Sequence, residues 1–232
     1  MKNILITGIS SGIGEALARY YLKCGDKVYG LSRRNSDFLK DKDNYFFQSC
    51  DVSYYDSIAP SLAQLTNYTK EFDLVILNAG ILGEIKPITQ TSLDEIEKVM
   101  NVNVWSNKII LDILAASYSV KQIVAISSGA SVNGSFGWGG YSLSKATLNM
   151  LVKLYSREMK NTHISALAPG IIKTPMVDYI LEDVDEGVYD SVKRIKECTK
   201  FTPNEIAPIL DEAFFKLLTR QSGTYTDVRS ME

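Results

Sequence analysis

The chain has 232 residues, 45% hydrophobic and 22% charged, the profile of a folded domain long enough to bury a sizeable core. Its 25 Lys and Arg against 27 Asp and Glu leave a net charge of -2, which argues against a generic binder of nucleic acid or anionic membrane. The three scattered cysteines, Cys24, Cys50 and Cys198, form no CxxC pair, and the single histidine, His163, cannot build a His-based metal site alone; a reducing cytoplasm and no metal are therefore expected.

In chain order, residues 4–6 are predicted as a strand, an apolar run too short for an export signal. No later run approaches the length of a membrane span, so the chain is expected to be soluble and unexported. Residues 12–22 follow as a helix, with Ala16, Leu17 and Tyr20 spaced for one buried face. Strands are expected at 28–32 and 45–48, the latter leading into Asp51-Val52, then a helix at 57–65 and a strand at 74–77. Ser92 and Glu95 match a capping box for a helix starting near Leu93. A strand at 123–126, a long helix at 141–159, a strand at 164–167, a helix at 203–218 and a short strand at 224–228 complete the order. This alternation predicts one α/β domain over residues 1–232: a Rossmann-type doubly wound parallel sheet with helices on both faces. The unbroken apolar run Leu74-Val75-Ile76-Leu77 suits a strand covered on both sides. Residues 171–200 fit least well, mixing Glu182, Asp183, Asp185 and Glu186 with Met176, Tyr179 and Ile180. A substrate lid and an irregular surface helix are the two readings.

Three patterns carry chemistry. Thr7-Gly8-Ile9-Ser10-Ser11-Gly12-Ile13-Gly14 stands between the first strand and first helix. Glycines there let the backbone turn tightly and approach a pyrophosphate, and the helix N-terminus supplies N–H groups for it. The spacing is G-x-x-x-G-x-G, not the commoner G-x-G-x-x-G; an ordinary Gly-rich turn is the alternative. At the end of the second strand, where an acid would bind the ribose of NAD, Arg33 and Arg34 occur instead. They would suit a 2′-phosphate, favouring NADP(H) over NAD(H); solvated surface charge is the alternative. Third, Ser128 follows a strand end, and Tyr141 and Lys145 are four apart on one helix face. A neighbouring ammonium is expected to lower the phenol pKa and make Tyr141 a usable acid/base, with Ser128 hydrogen-bonding a carbonyl oxygen.

With these motifs the chain resembles the short, single-domain branch of the short-chain dehydrogenase/reductase family. The match runs from Thr7 to Thr174 through Asp51-Val52, Asn78-Ala79-Gly80, Asn103, Ser128, Tyr141, Lys145 and Pro169-Gly170. The resemblance implies that Gly8, Ser10, Ser11, Gly12, Ile13 and Gly14 cradle the cofactor and that Asp51 and Val52 contact its adenine. Asn78, Ala79 and Gly80 would line it, as would Pro169, Gly170 and Ile172, with Thr174 on the carboxamide. It implies a catalytic set of Asn103, Ser128, Tyr141 and Lys145: Asn103 holding a relay water, Lys145 also binding the nicotinamide ribose, and Ser128 rather than Ser127 as the active serine. Ser11 stands where many NADP-preferring relatives carry Lys or Arg, and Leu77 replaces the first Asn of the common Asn-Asn-Ala-Gly. The short C-terminus implies a homodimer rather than a tetramer.

Other residues have ordinary readings. His163 is expected to be satisfied or exposed and Cys198 a plain thiol. Asn67-Tyr68-Thr69 and Asn133-Gly134-Ser135 match the glycosylation pattern, which an unexported chain would not use. Phe136 and Trp138 are substrate-facing aromatics or loop anchors, with a lean towards the pocket. Met150, Leu151 and Leu154 are core or dimer contact. The expected activity is NADPH-dependent reduction of an apolar aldehyde, ketone or diketone. A cofactor-binding regulatory protein without turnover, and a dehydratase or epimerase using the same pair, are the alternatives.

Overall fold

The computed structural model describes residues 1–67 and 69–231; Tyr68, the middle of the Asn67–Thr69 glycosylation pattern, lies outside the described residues. The sheet strands among these are β1 (Asn3–Thr7), β2 (Lys27–Ser32), β3 (Tyr45–Ser49), β4 (Glu71–Leu77), β5 (Ser119–Ile126), β6 (His163–Ala168) and β7 (Tyr225–Asp227). All pair in parallel, in the order β3-β2-β1-β4-β5-β6-β7. The helices are α1 (Gly12–Lys23), α2 (Tyr55–Leu65), α3 (Leu93–Met100), α4 (Ser106–Ser117), α5 (Ala130–Asn133), α6 (Gly139–Glu158), α7 (Pro175–Asp183), α8 (Asp190–Glu197) and α9 (Pro203–Leu217).

The strands alternate in a way their apolar runs conceal. Ile4, Ile6, Leu74 and Ile76 join one core cluster with Leu17 of α1 and Leu210 and Phe214 of α9. Leu5, Val75 and Leu77 join the other, with Leu62 of α2, Leu111 of α4 and Val152 of α6. β1 and β4 thus each bury side chains on both faces, as strands between two helical layers require. The order of pairing reverses at β1, between β2 and β4, and there the strand C-termini leave a crevice for a ligand.

The capping box forms: Glu95 N–H donates to Ser92 Oγ (3.3 Å) and Ser92 N–H to Glu95 Oε2 (2.8 Å). Between α3 and α4 the chain makes one π-helical turn, Asn101–Trp105, that places Asn103 fully out of solvent. Within the expected lid region α7 and α8 are regular, and Ile180, Val192 and Ile195 form a third small core with Leu82 and Trp138. Its α8 edge is tied down by Trp138, whose indole N–H donates to Ser191 Oγ (2.7 Å).

Candidate active site

The glycine loop is shaped by contacts that no side chain could share. Gly8 has φ +74°, a left-handed conformation that favours glycine. A Cβ on Gly14 would lie 2.3 Å from the Gly8 carbonyl oxygen and 2.6 Å from Asn78 Nδ2. The loop is then clamped from β4. Asn78 Nδ2 donates to the carbonyls of Thr7 and Gly8 (both 3.0 Å), and Thr7 Oγ1 accepts from the Asn78 and Ala79 amides (3.0 and 3.1 Å). Ser10, Ser11, Gly12 and Ile13 open the N-terminus of α1 onto a cavity of about 1100 Å³. A cradle that a Cβ would fill, facing free helix N–H groups, fits the pyrophosphate of a dinucleotide.

At one end of this cavity are Arg33, Arg34, Asp51 and Val52. Both arginines are exposed. Burial alone would raise the Asp51 carboxyl, but hydrogen bonds from Ser53 and the charge of Arg33 outweigh it and hold it below its usual range. Ala79 and Gly80 line the middle, and Pro169, Gly170 and Thr174 the floor. Thr174 leans on the glycine loop, its Cγ2 lying 3.2 Å from where a Gly12 Cβ would be. Ile172 is mostly withdrawn: it is 3% exposed, packs into the core against α9 and bridges to Phe201, with part of it reaching the cavity wall.

At the other end Ser128, Tyr141 and Lys145 converge, with Asn103 behind them. The two adjacent serines divide sharply. Ser127 Oγ donates to Asn149 Oδ1 (2.6 Å) and the residue is 2% exposed, whereas Ser128 is half-buried and lines the cavity with Tyr141. Lys145 Nζ donates to the Ile126 carbonyl (2.8 Å) and lies 5.6 Å from the Tyr141 ring centre. Asn103 pairs with the backbone of Ile81 through both ends of its amide, accepting at 2.8 Å and donating at 2.9 Å. It also donates to Ser144 Oγ (2.9 Å), which in turn donates to the Tyr141 carbonyl (2.7 Å). Asn103 therefore couples the loop after β4 to α6, through Ser144, a link the sequence reading missed.

The electrostatics correct one expectation. Burial pushes the Tyr141 phenol up to about 12, with the nearby Ser128 hydroxyl acting the other way. Burial also pulls the Lys145 ammonium down to about 8. Desolvation, not the ammonium, dominates the tyrosine here. The Tyr141 phenol is consequently protonated across the neutral range.

The aromatics also divide. Trp138 lines the cavity and meets Tyr141 edge-on at 6.1 Å, so it is wall and anchor together. Phe136, expected to lean into the pocket, instead stacks on Tyr189 at 5.5 Å, stays 60% exposed and does not line the cavity. Met176, Tyr179 and Ile180 of α7 also line the cavity. Among the described residues no group of three or more His, Cys, Asp or Glu could hold a metal, and no helix is long and apolar enough to cross a membrane.

A family model described as short chain dehydrogenase matches residues 2–185. The chain belongs to the short chain dehydrogenase family. As a short chain dehydrogenase it is an oxidoreductase acting on CH–OH or C=O groups with a nicotinamide cofactor. It is 33% identical to a 3-oxoacyl-[acyl-carrier-protein] reductase of Rickettsia prowazekii over 217 residues, covering 89% of this chain and 86% of the relative. It is 30% identical over 203 residues to a benzil reductase, (S)-benzoin forming, of Bacillus cereus, covering 80% and 82%. Among short chain dehydrogenases of solved structure, one from Saccharomyces cerevisiae superposes with a TM-score of 0.87 at 22% identity, covering 99% of this chain and 97% of that one.

Proposed function

We propose that this short chain dehydrogenase is an NADP(H)-dependent reductase of apolar aldehydes or ketones. The observation that carries the reading is a half-buried, protonated Tyr141 whose ring lies 5.6 Å from Lys145 Nζ, with Ser128 lining the same cavity end, walled by Trp138, Met176 and Ile180. When bound, the reduced nicotinamide supplies the hydride that the carbonyl carbon accepts. Ser128 Oγ holds the carbonyl oxygen, and Tyr141 Oη gives that oxygen its proton. Lys145, 4% exposed, would hold the ribose hydroxyls and places positive charge beside the phenol. Gly8, Gly12 and Gly14 would hold the pyrophosphate, Asp51 and Val52 the adenine, and Thr174 the carboxamide. The names of the two curated relatives, both reductases, support reduction as the direction.

Arg33 and Arg34 support NADP(H), since a 2′-phosphate at the end of β2 would meet two guanidinium groups. Solved relatives of the fold include one with NADH bound and one with NADPH bound, so the cofactor is tested directly. A panel of aliphatic and aromatic carbonyls is followed at 340 nm with each cofactor, and turnover is expected with NADPH. Arg33→Ala/Arg34→Ala is expected to weaken NADPH by about 10- to 100-fold, the worth of a charged hydrogen bond, while NADH changes little. Equal losses for both cofactors would remove the arginines from this role.

A pH dependence follows from the site. The charged form of Lys145 is lost as pH rises through about 8, while Tyr141 keeps its proton to about 12. The kcat/KM for reduction is therefore expected to hold through neutrality and fall above about pH 8; a flat profile to pH 10 would contradict this account. The reading places the enzyme in the cytoplasm as a homodimer. The outward face of α6, where Leu143, Met150 and Leu154 are exposed, supports pairing of two copies.

A further inference from the structure

One wall of the cavity comes from the far end of the chain. Tyr225 of β7 donates through its hydroxyl to the Ser128 carbonyl (3.4 Å), fixing the last strand against the catalytic segment. Asp227 and Arg229 follow, and both line the cavity. The Arg229 guanidinium is gripped as a fork: Nε donates to Asp227 Oδ1 (2.9 Å) and Nη2 to Oδ2 (2.6 Å). Its aliphatic stem crosses Gly170, with Cδ 3.9 Å from where a Cβ would sit there. Its head reaches Gly129, the residue after Ser128. A Cβ on Gly129 would find Asn133 Nδ2 at 3.4 Å and Arg229 Nη2 at 3.9 Å. Two hydrogen-bond donors thus flank one small open space, one residue from the serine assigned to the reacting carbonyl.

We propose that Arg229 and Asn133 form a subsite for a second carbonyl oxygen next to the one reduced, which makes an apolar dicarbonyl the preferred substrate class. This rests on the reductase reading above. The fork with Asp227 engages two of the five guanidinium N–H groups and leaves three to other acceptors. It also sets a carboxylate directly against the arginine, so the pair offers donors with no net charge. That suits a neutral oxygen better than an anion. Arg194, the other arginine on this side, is turned to Ser135 Oγ (3.2 Å). Lys86 is held between Glu84 and Glu95, which line the cavity. The apolar body of the substrate would rest on Trp138 and Ile180. A glycine at 129 keeps the space open that a second oxygen needs.

The test compares kcat/KM with NADPH for 1-phenyl-1,2-propanedione, for propiophenone, which lacks the second carbonyl, and for benzoylformate, which carries a carboxylate in its place. The dione is intrinsically more electrophilic, so the informative quantity is how the dione-to-monoketone ratio moves on mutation. Arg229→Met is expected to lower that ratio about tenfold, the loss of a hydrogen bond from a charged donor. Asn133→Ala, at an exposed helix end that tolerates truncation, is expected to lower it about threefold, as for a neutral bond. Thermal unfolding checks that both variants are folded. Ratios unmoved in the two variants would overturn the subsite while leaving the reductase reading intact. Benzoylformate preferred over the dione, with that preference lost in Arg229→Met, would overturn it in favour of an anion site. Absence of turnover for all three ketones would overturn the subsite and the reductase reading together.

Discussion

Tyr141→Phe is expected to lower kcat for carbonyl reduction by about 10²- to 10⁴-fold, the usual worth of a positioned proton donor. The substitution removes one oxygen. The ring keeps its edge-on contact with Trp138, and the backbone carbonyl of residue 141 keeps its bond from Ser144. Burial already makes this phenol costly to ionise, so its loss removes a proton donor and leaves no charge stranded. NADPH affinity, measured by calorimetric titration, is expected to change little. The measurement is single-turnover decay at 340 nm on whichever carbonyl the wild type reduces best, and equal rates for the two proteins would sink the assignment of Tyr141.

Gly14→Ala is expected to cost about 3 kcal/mol, the upper range for overpacking a tight site, and so to lower Tm by about 6–12 °C for a chain of this size. The new methyl would meet the Gly8 carbonyl at 2.3 Å. That partner is backbone, held in place by the Gly8 amide, which donates to the Leu31 carbonyl (2.8 Å), and by Asn78. It cannot swing aside as a flexible side chain would. NADPH binding should fall with stability, because any relief moves the loop. A Tm unchanged by the substitution would show that the loop is softer than these contacts imply.

The strands were legible because each is a short apolar run bounded by polar or turn residues, and the α3 cap because Ser92 and Glu95 carry it locally. The helix α4 was harder to see. The π turn at Asn101–Trp105 adds a residue between α3 and α4, so the apolar spacing changes phase between the two helices. The start of α2 at Tyr55 was read two residues late, since no side chain caps it. In the site, residues adjacent in sequence or spaced along one helix were recoverable, as with Tyr141 and Lys145. Relations across the fold were not. Ser144 lies inside the tyrosine–lysine motif, yet its bond to Asn103 spans 41 positions. Arg229 has no motif at all, and its place beside Gly129 depends on where β7 joins the sheet. The pKa of Tyr141 was misjudged for a similar reason: the ammonium is visible in the sequence, whereas the burial that outweighs it belongs to the packed structure.

The clamp between Thr7 and Asn78 has a consequence for how the protein assembles. Its hydrogen bonds close a loop of about seventy residues, and β2, β3 and α2 lie inside that loop. A parallel sheet whose central pair is this distant in sequence must meet a large closure entropy before those contacts reward it. The glycine-loop cradle cannot exist in a partly folded chain where only β1 to β3 have formed. A dinucleotide that binds there recognises the assembled state alone, and its binding free energy adds to global stability through mass action. The same few atoms that shape the pocket therefore make folding and cofactor loading a single coupled equilibrium.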